Sequence, residues 1–158
     1  SAPATLSLAF SWLQERKMRK ATQSLLRNKR HYPDNVINNL LLEETWTRLK
    51  QYKQALRVQD EILRISPTNR QVLYDRGITY TKMGEIEKAR SAFNSYLGSS
   101  YLEESQRASA YFRLGRLAAR ERNWELAKTH YQRAVKINGH RASKASLERL
   151  KKKQATAP

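Results

Sequence analysis

Cysteine is absent from this chain of 158 residues, so disulfides and thiol chemistry are both excluded. That absence fits cytosol and periplasm equally and selects no compartment. No apolar run approaches the roughly 20 residues a membrane-spanning helix needs. Ser1 to Leu13 is mildly apolar but lacks the charged leader of a signal peptide. A start at Ser1 without Met reads as that of a processed or excised chain. Glycine is scarce, and none of the 5 glycines forms a phosphate-cradling loop. The three histidines, His31, His130 and His140, have no second histidine at metal-ligand spacing. His130 is read as a solvated helix-face residue. The adjacent acids Asp60-Glu61 and Glu103-Glu104 diverge by about 100° on a helix, so they form no general acid–base pair and are read as solvated faces. The expectation is a chain that is not an enzyme, with no cofactor and no metal.

Acid is the other shortage. There are 14 Asp and Glu against 31 Lys and Arg, a formal charge of +17. Its distribution is uneven. Residues 1–35 carry 7 basic and 2 acidic side chains, whereas 36–69 and 70–107 are each at +1; residues 108–141 reach +6 and 142–158 add +4. Both ends are therefore positive around a nearly balanced middle. Such a field attracts acidic proteins, nucleic acid or anionic lipid headgroups without distinguishing them.

What the chain does contain is internal repetition. Gly77, Tyr80, Gly84, Ala89 and Phe93 recur as Gly115, Ala118, Arg122, Ala127 and Tyr131. Small Gly77 and Ala89 suit helix crossings, Phe93 fills the space between helices, and Gly84 suits a turn because glycine takes positive φ cheaply. Weaker copies lie upstream around Leu42, Trp46 and Ala55, and around Ala9, Trp12, Ala21 and Leu25. Tyr32-Pro33-Asp34-Asn35 and Ser66-Pro67-Thr68-Asn69 punctuate them as helix stops and new starts. Equivalent starts at Ala2, Val36, Arg70 and Ala108 give steps of 34, 34 and 38 residues. The four extra residues are expected at the flexible Leu97-Gly98-Ser99-Ser100. Apolar residues three and four apart predict amphipathic helices throughout.

A 34-residue period of helix pairs with small residues at the crossings resembles the tetratricopeptide repeat (TPR). The resemblance covers about residues 2–141. The third and fourth units match well, the second moderately and the first loosely. Departures are Arg76 where the family usually has Leu, Glu43 where it prefers Gly, and Gly139 where it prefers Pro. An ordinary helical bundle needs no such fixed period. The resemblance implies an all-α fold, a right-handed superhelical stack of antiparallel helix pairs. Its expected units are 1–35, 36–69, 70–107 and 108–141, closed by a capping helix over 142–154 and a short tail at 155–158. Ala145, Leu147 and Leu150 form the apolar side of that capping helix. Trp12, Trp46 and Trp124 fall at packing positions, with base stacking an alternative for Trp12 alone.

In this family the first helix of each pair lines a concave groove. Carried over by spacing, the lining is Leu6, Phe10 and Leu13; then Ile37, Leu40, Glu44, Thr47 and Arg48; then Gln71, Tyr74, Ile78 and Lys82; and last Phe112, Arg113, Arg116, Ala119 and Arg120. Partner binding is assigned to Arg48, Tyr74, Ile78, Lys82, Phe112, Arg113, Arg116 and Arg120. Arg113, Arg116 and Arg120 share a helical face, and their mutual repulsion has no use in a purely structural role. Guanidinium forks suit carboxylate or phosphate, so the expected partner is an acidic or amphipathic peptide or helix of another protein. The chaperone-tail clamp of some family members is excluded, because its positions hold Leu6, Phe10, Leu41, Gln71 and Arg113, of which only Arg113 fits.

The leading expectation is thus a non-catalytic interaction scaffold or adaptor. The alternative is binding of nucleic acid or an anionic membrane surface through Arg16-Lys17-Met18-Arg19-Lys20, Arg27-Asn28-Lys29-Arg30 and Lys151-Lys152-Lys153. No recognition motif supports it, and nucleic acid is the less favoured partner. Self-association through the terminal repeats is a further option. So is service as the accessory repeat domain of a larger membrane-associated assembly factor or enzyme, in cytoplasm or periplasm or at a membrane periphery.

Overall fold

The computed structural model describes residues 2–156, and the expected tail residues Ala157 and Pro158 lie outside them, as does Ser1. The described residues form nine α-helices: α1 Ala2–Gln14, α2 Met18–His31, α3 Val36–Arg48, α4 Tyr52–Ile65, α5 Arg70–Met83, α6 Ile86–Leu97, α7 Glu104–Arg120, α8 Trp124–Asn138 and α9 Arg141–Ala155. Helix pairs joined by short turns recur along the chain in an all-α repeat stack. The chain divides into two compact units, residues 1–79 and 80–158.

The repeat is written in the backbone. Stepping by 34, 34 and 38 residues from Arg16 gives Lys50, Gly84 and Arg122, and all four have left-handed φ, at 58°, 58°, 80° and 58°. Each sits in the tight turn between the helices of a pair. Only one of the four is glycine, although a Cβ in that conformation costs about 1–2 kcal/mol. Lys50→Gly and Arg122→Gly are therefore expected to raise stability by roughly 0.5–1 kcal/mol each, after the larger unfolded-state entropy of glycine is deducted. Denaturant midpoints check this; a fall in midpoint would mean those side chains stabilise the turn by contacts that outweigh the strain. The same stepping from Ala21 gives Ala55, Ala89 and Ala127, all completely buried. A small side chain at this place lets the paired helices approach closely.

Helix starts are set by asparagine. The side chains of Asn35, Asn69 and Asn123 accept from the backbone N–H groups of Asn38, Val72 and Leu126, satisfying donors that a first helical turn leaves open. The four extra residues are not taken up by a glycine hinge. Gly98 has an ordinary φ of −74°, and α7 begins at Glu104, one turn ahead of Ala108, so it has 17 residues where α3 has 13. Gln106 accepts from the Glu103 N–H at 3.0 Å and fixes that early start.

Within residues 1–79, α1 packs on α2, α2 on α3 and α3 on α4. Ala9, Leu25, Leu42, Val58, Ile62 and Val72 form the core there, with Trp46 packed against it. This core is unusually polar at its edge. Asn28 donates to Asn38 at 3.0 Å, Asn38 to the Leu25 carbonyl at 3.2 Å and Asn39 to the Pro33 carbonyl at 3.0 Å, all three asparagines being buried. Within residues 80–158, α6 packs on α7, α7 on α8 and α8 on α9. Ala118, Ala127 and Tyr131 make a core that Phe112, Leu126, Leu147 and Leu150 cover.

Helix α9 continues through Gln154 and Ala155, and Thr156 caps it by donating to the Lys152 carbonyl. Its buried side is Ser143, with Leu147 and Leu150 four and seven residues on, while Ala145 is exposed. The three departures from the family pattern have local causes. Gly139 ends α8 in the left-handed conformation, with φ 68°. Arg76 pairs with Asp60 at 2.5 Å. Glu43 accepts from the fully buried Gln59 at 2.9 Å.

Candidate partner-binding faces

Helices α3 and α5 enclose a cleft of about 390 Å³ within the first compact unit. It is lined by Leu40, Glu43, Glu44, Thr47 and Arg48 of α3 and by Gln71, Asp75, Ile78 and Thr79 of α5. Six of these, Leu40, Glu44, Thr47, Arg48, Gln71 and Ile78, are groove positions carried over by spacing. Tyr74 is half-buried and does not line the cleft, and Ile37 is exposed. Sequence reasoning missed Glu43 and Thr79, and it did not carry Asp75, the repeat counterpart of Arg113, into the groove lining. Asp75 had a signal, standing four residues after Gln71 and three before Ile78 on the same side of α5.

The cleft is acidic, with Glu43, Glu44 and Asp75 in its lining. Glu43 is only 6% exposed. It accepts from Gln59 Nε2 and from the Thr47 hydroxyl at 3.1 Å. Burial raises its pKa above the usual carboxylate value despite the Gln59 hydrogen bond, and the Asp75 charge adds to the rise. Asp75 is likewise raised by burial, against hydrogen bonds from Gln71 Nε2 at 3.0 and 2.9 Å. Arg48 is the single cation of the lining, and it is engaged: one nitrogen donates to Glu44 at 2.5 Å and the other to the Leu13 carbonyl at 3.2 Å.

A raised carboxylate pKa has a definite sign for stability. The folded state binds the proton more tightly than the unfolded chain, so this contribution is fully present below the unfolded pKa and is lost as pH rises through the folded one. Glu43→Gln keeps an oxygen acceptor but carries no charge. It is expected to be more stable than the parent at pH 7, with the difference shrinking as pH falls through the raised folded-state pKa toward the ordinary glutamate value of 4.5 and levelling off below it. Melting curves across pH 3.5–8 check this; a variant less stable than the parent at pH 7 would contradict it.

In the second compact unit, Arg113, Arg116 and Arg120 project from one side of α7, with Arg116 and Arg120 exposed and Arg113 half-buried. Lys82 is exposed near the end of α5. Arg120 donates to the Thr81 carbonyl at 3.0 Å, so this arginine does have a structural task, capping a carbonyl in the last turn of α5. The Arg116 guanidinium lies 5.9 Å from the Phe112 ring centre. Phe112 packs on Tyr131 at 5.9 Å and His140 at 5.1 Å between ring centres. It belongs to the packing of α7 on α8 and its turn into α9 more than to an open wall. Neither Arg116 nor Arg120 meets a carboxylate among the described residues.

Several other expected residues are engaged locally. His130 is half-buried and stacks on Tyr111 at 6.1 Å, so it is not a solvated helix-face histidine. Asp60 and Glu61 form ion pairs, with Arg76 and Lys29. At the basic ends, Lys17 pairs with Glu15, Lys151 with Glu148, and Lys153 lies 5.0 Å over the Trp124 ring. Trp12 sits in a depression of about 400 Å³ with Leu8, Lys20 and Arg27. Among the described residues, no helix is long and apolar enough to cross a membrane.

Helix pairs with a 34–38-residue step, a buried alanine at one fixed place and a left-handed residue at another define a helical-repeat protein. Tetratricopeptide repeat family models match residues 71–99 and 108–141. The chain carries tetratricopeptide repeats at those residues, and such repeats are in general non-catalytic protein–protein interaction scaffolds. No curated protein matches it by sequence. Solved structures share the fold. One titled crystal structure of MamA protein is 16% identical with a TM-score of 0.81, covering 98% of this chain and 82% of that one. PilF of Pseudomonas aeruginosa is 16% identical at 0.80, covering 98% and 69%. MamA 41-end from Desulfovibrio magneticus RS-1 is 16% identical at 0.77, covering 87% and 75%.

Proposed function

We propose that this chain is a non-catalytic scaffold that holds an acidic or amphipathic segment of a partner protein against the face of α7 bearing Arg113, Arg116 and Arg120. The observation that carries the reading is that Arg116 and Arg120 are exposed on one side of one helix without a carboxylate partner among the described residues. Elsewhere the chain spends its acids on its bases, as in Arg48–Glu44, Arg64–Asp34, Arg76–Asp60 and Arg90–Glu87. Cations at spacings of 3 and 4 on one helix side repel one another, and carboxylates supplied from outside to Arg116 and Arg120 relieve that repulsion. Lys82 is a fourth cation of the same compact unit. The α3–α5 cleft suits the opposite chemistry. Glu43, Glu44 and Asp75 accept hydrogen bonds there, so it fits an amide or basic side chain of a bound segment, with Ile78 and Leu40 as its apolar walls.

A second reading, nucleic acid bound at the amino-terminal end, is favoured by the meeting of Trp12 with Lys20 and Arg27. One titration separates the two. The full chain is titrated with labelled amphipathic peptides of equal length, one Glu-rich and one Lys-rich, and with a single-stranded oligonucleotide, at two salt concentrations. Tighter binding of the Glu-rich peptide, weakened by salt, supports the proposal. Equal binding of both peptides, or preference for the oligonucleotide near physiological salt, overturns it.

A further inference from the structure

The opposite side of α7 carries a second basic surface. Glu104, Arg107 and Tyr111 follow one another at i, i+3 and i+7, about half a turn around the helix from Arg113, Arg116 and Arg120. With Arg133, Lys136 and Ile137 of α8 they line a groove of about 580 Å³. It holds three cations and one carboxylate, and none of the four forms an ion pair among the described residues. Glu104 and Arg107 stand at i, i+3 without pairing; instead Arg107 donates to the Leu102 carbonyl at 3.3 Å.

The floor of the groove is already organised. The Arg133 guanidinium lies 5.7 Å from the Tyr111 ring centre, and the Tyr111 ring stacks on His130 with an interplanar angle of 26°. His130 Nδ1 is buried without a hydrogen-bond partner. Burial, then the charges of Arg133 and of Arg90, push the His130 pKa below its usual value. The charged groups of the groove and its surroundings are thus Glu104 and Arg107 on α7, Arg133 and Lys136 on α8, and Arg90 on α6 with its carboxylate partners Glu87 and Glu121. The balance is positive.

We infer that this α7–α8 groove is a second anion-binding site, separate from the Arg113–Arg120 face, and that its occupant is an acidic segment of a protein. Carboxylates meet Arg107, Arg133 and Lys136, and an apolar side chain between them lies on Ile137 and the edge of Tyr111. Arg133, held over a ring, is ordered before its ligand arrives, which reduces the entropy lost on forming a two-pronged carboxylate contact. Nucleic acid fits less well. Base stacking needs an open aromatic face, and the only aromatic ring lining the groove is engaged by His130 and Arg133.

His130 supplies the readout. The full chain is titrated with a labelled peptide of alternating Glu pairs and Leu while the His130 imidazole is followed by NMR across pH. A carboxylate beside Arg133 offsets the positive field, so the bound peptide raises the His130 pKa. Arg133→Glu with Lys136→Glu should weaken this peptide's binding roughly tenfold and abolish the His130 response to it. Both side chains are exposed, and the milder Arg107→Gln should weaken binding less, in the same direction. Arg116→Glu should leave the His130 response in place. A peptide that binds without moving His130, or binds the double variant as tightly as the parent, overturns the site. An oligo-dT strand that moves His130 at lower concentration than the peptide overturns the choice of occupant.

Discussion

Gly115→Ala is expected to destabilise the fold by about 2 kcal/mol, lowering the melting temperature by several degrees. A Cβ at position 115 would stand 2.5 Å from Tyr131 Cε1 and 2.6 Å from its Cδ1, well inside van der Waals contact. The ring cannot swing aside. It is 3% exposed, with Phe112 5.9 Å away on one flank. Relief must come from parting α7 and α8, which also loosens Ala118 and Ala127 between them. Alanine's better helix propensity returns about 1 kcal/mol, less than the overpacking costs. Combining Gly115→Ala with Tyr131→Leu should cost less than the two changes added, because the second removes the atoms the first collides with. A neutral or stabilising Gly115→Ala in thermal denaturation would mean that α7 and α8 are not held at this separation.

Reversing charge on the other side of α7 is the second large effect. Replacing Arg113, Arg116 and Arg120 together by glutamate should weaken a Glu-rich amphipathic peptide by about 10–100-fold, since exposed charge pairs contribute about 0.2–1 kcal/mol each and reversal turns attraction into repulsion. The salt dependence of the remaining binding should flatten. Arg120 also donates to the Thr81 carbonyl, so the triple variant carries a stability cost that the peptide does not see. Arg116→Glu alone separates the two, because the Arg116 guanidinium lies over the Phe112 ring and its side chain makes no hydrogen bond to the backbone among the described residues. It should lose several-fold in affinity with an unchanged melting temperature. Unaltered affinity in both variants would remove the inner face of α7 from the binding account.

How much of this was legible in the chain depends on which positions kept the repeat's chemistry. Gly77 with Phe93 and Gly115 with Tyr131 pair a small residue with a ring 16 residues later. Those two units are the ones that the family models match. At the equivalent places the second unit has Glu43 with Gln59, hydrogen-bonded at 2.9 Å. A polar pair occupies the same crossing as a glycine–aromatic pair, so the second unit folds alike while its sequence signal fades. The same substitution of chemistry made Glu43 a hidden member of the α3–α5 cleft, since a residue at a helix crossing is expected to face its partner helix only.

Side chains on one helix were easier to place than contacts between helices. Leu40, Glu44, Thr47 and Arg48 follow from the 3.6-residue period of α3 alone, and they do line one cleft. The α7–α8 groove needs the register of Arg107 and Tyr111 against Arg133 and Lys136. That register is set by the contact of Gly115 with Tyr131, which spacing within either helix does not reveal. Phe112 was misjudged for the same reason: its ring is claimed by Tyr131 and His140, 19 and 28 residues further along.

The central claim is that the Arg113, Arg116 and Arg120 side of α7 receives an acidic segment. It is tested most directly by placing a photocrosslinking residue at position 116 in one protein and at position 128, exposed on α8, in a second. Each is irradiated with the Glu-rich peptide at a concentration near half-saturation. The account predicts strong crosslinking from position 116, suppressed by salt, and much weaker crosslinking from position 128. Equal crosslinking from the two positions, or none from 116 while the peptide is bound, would contradict it.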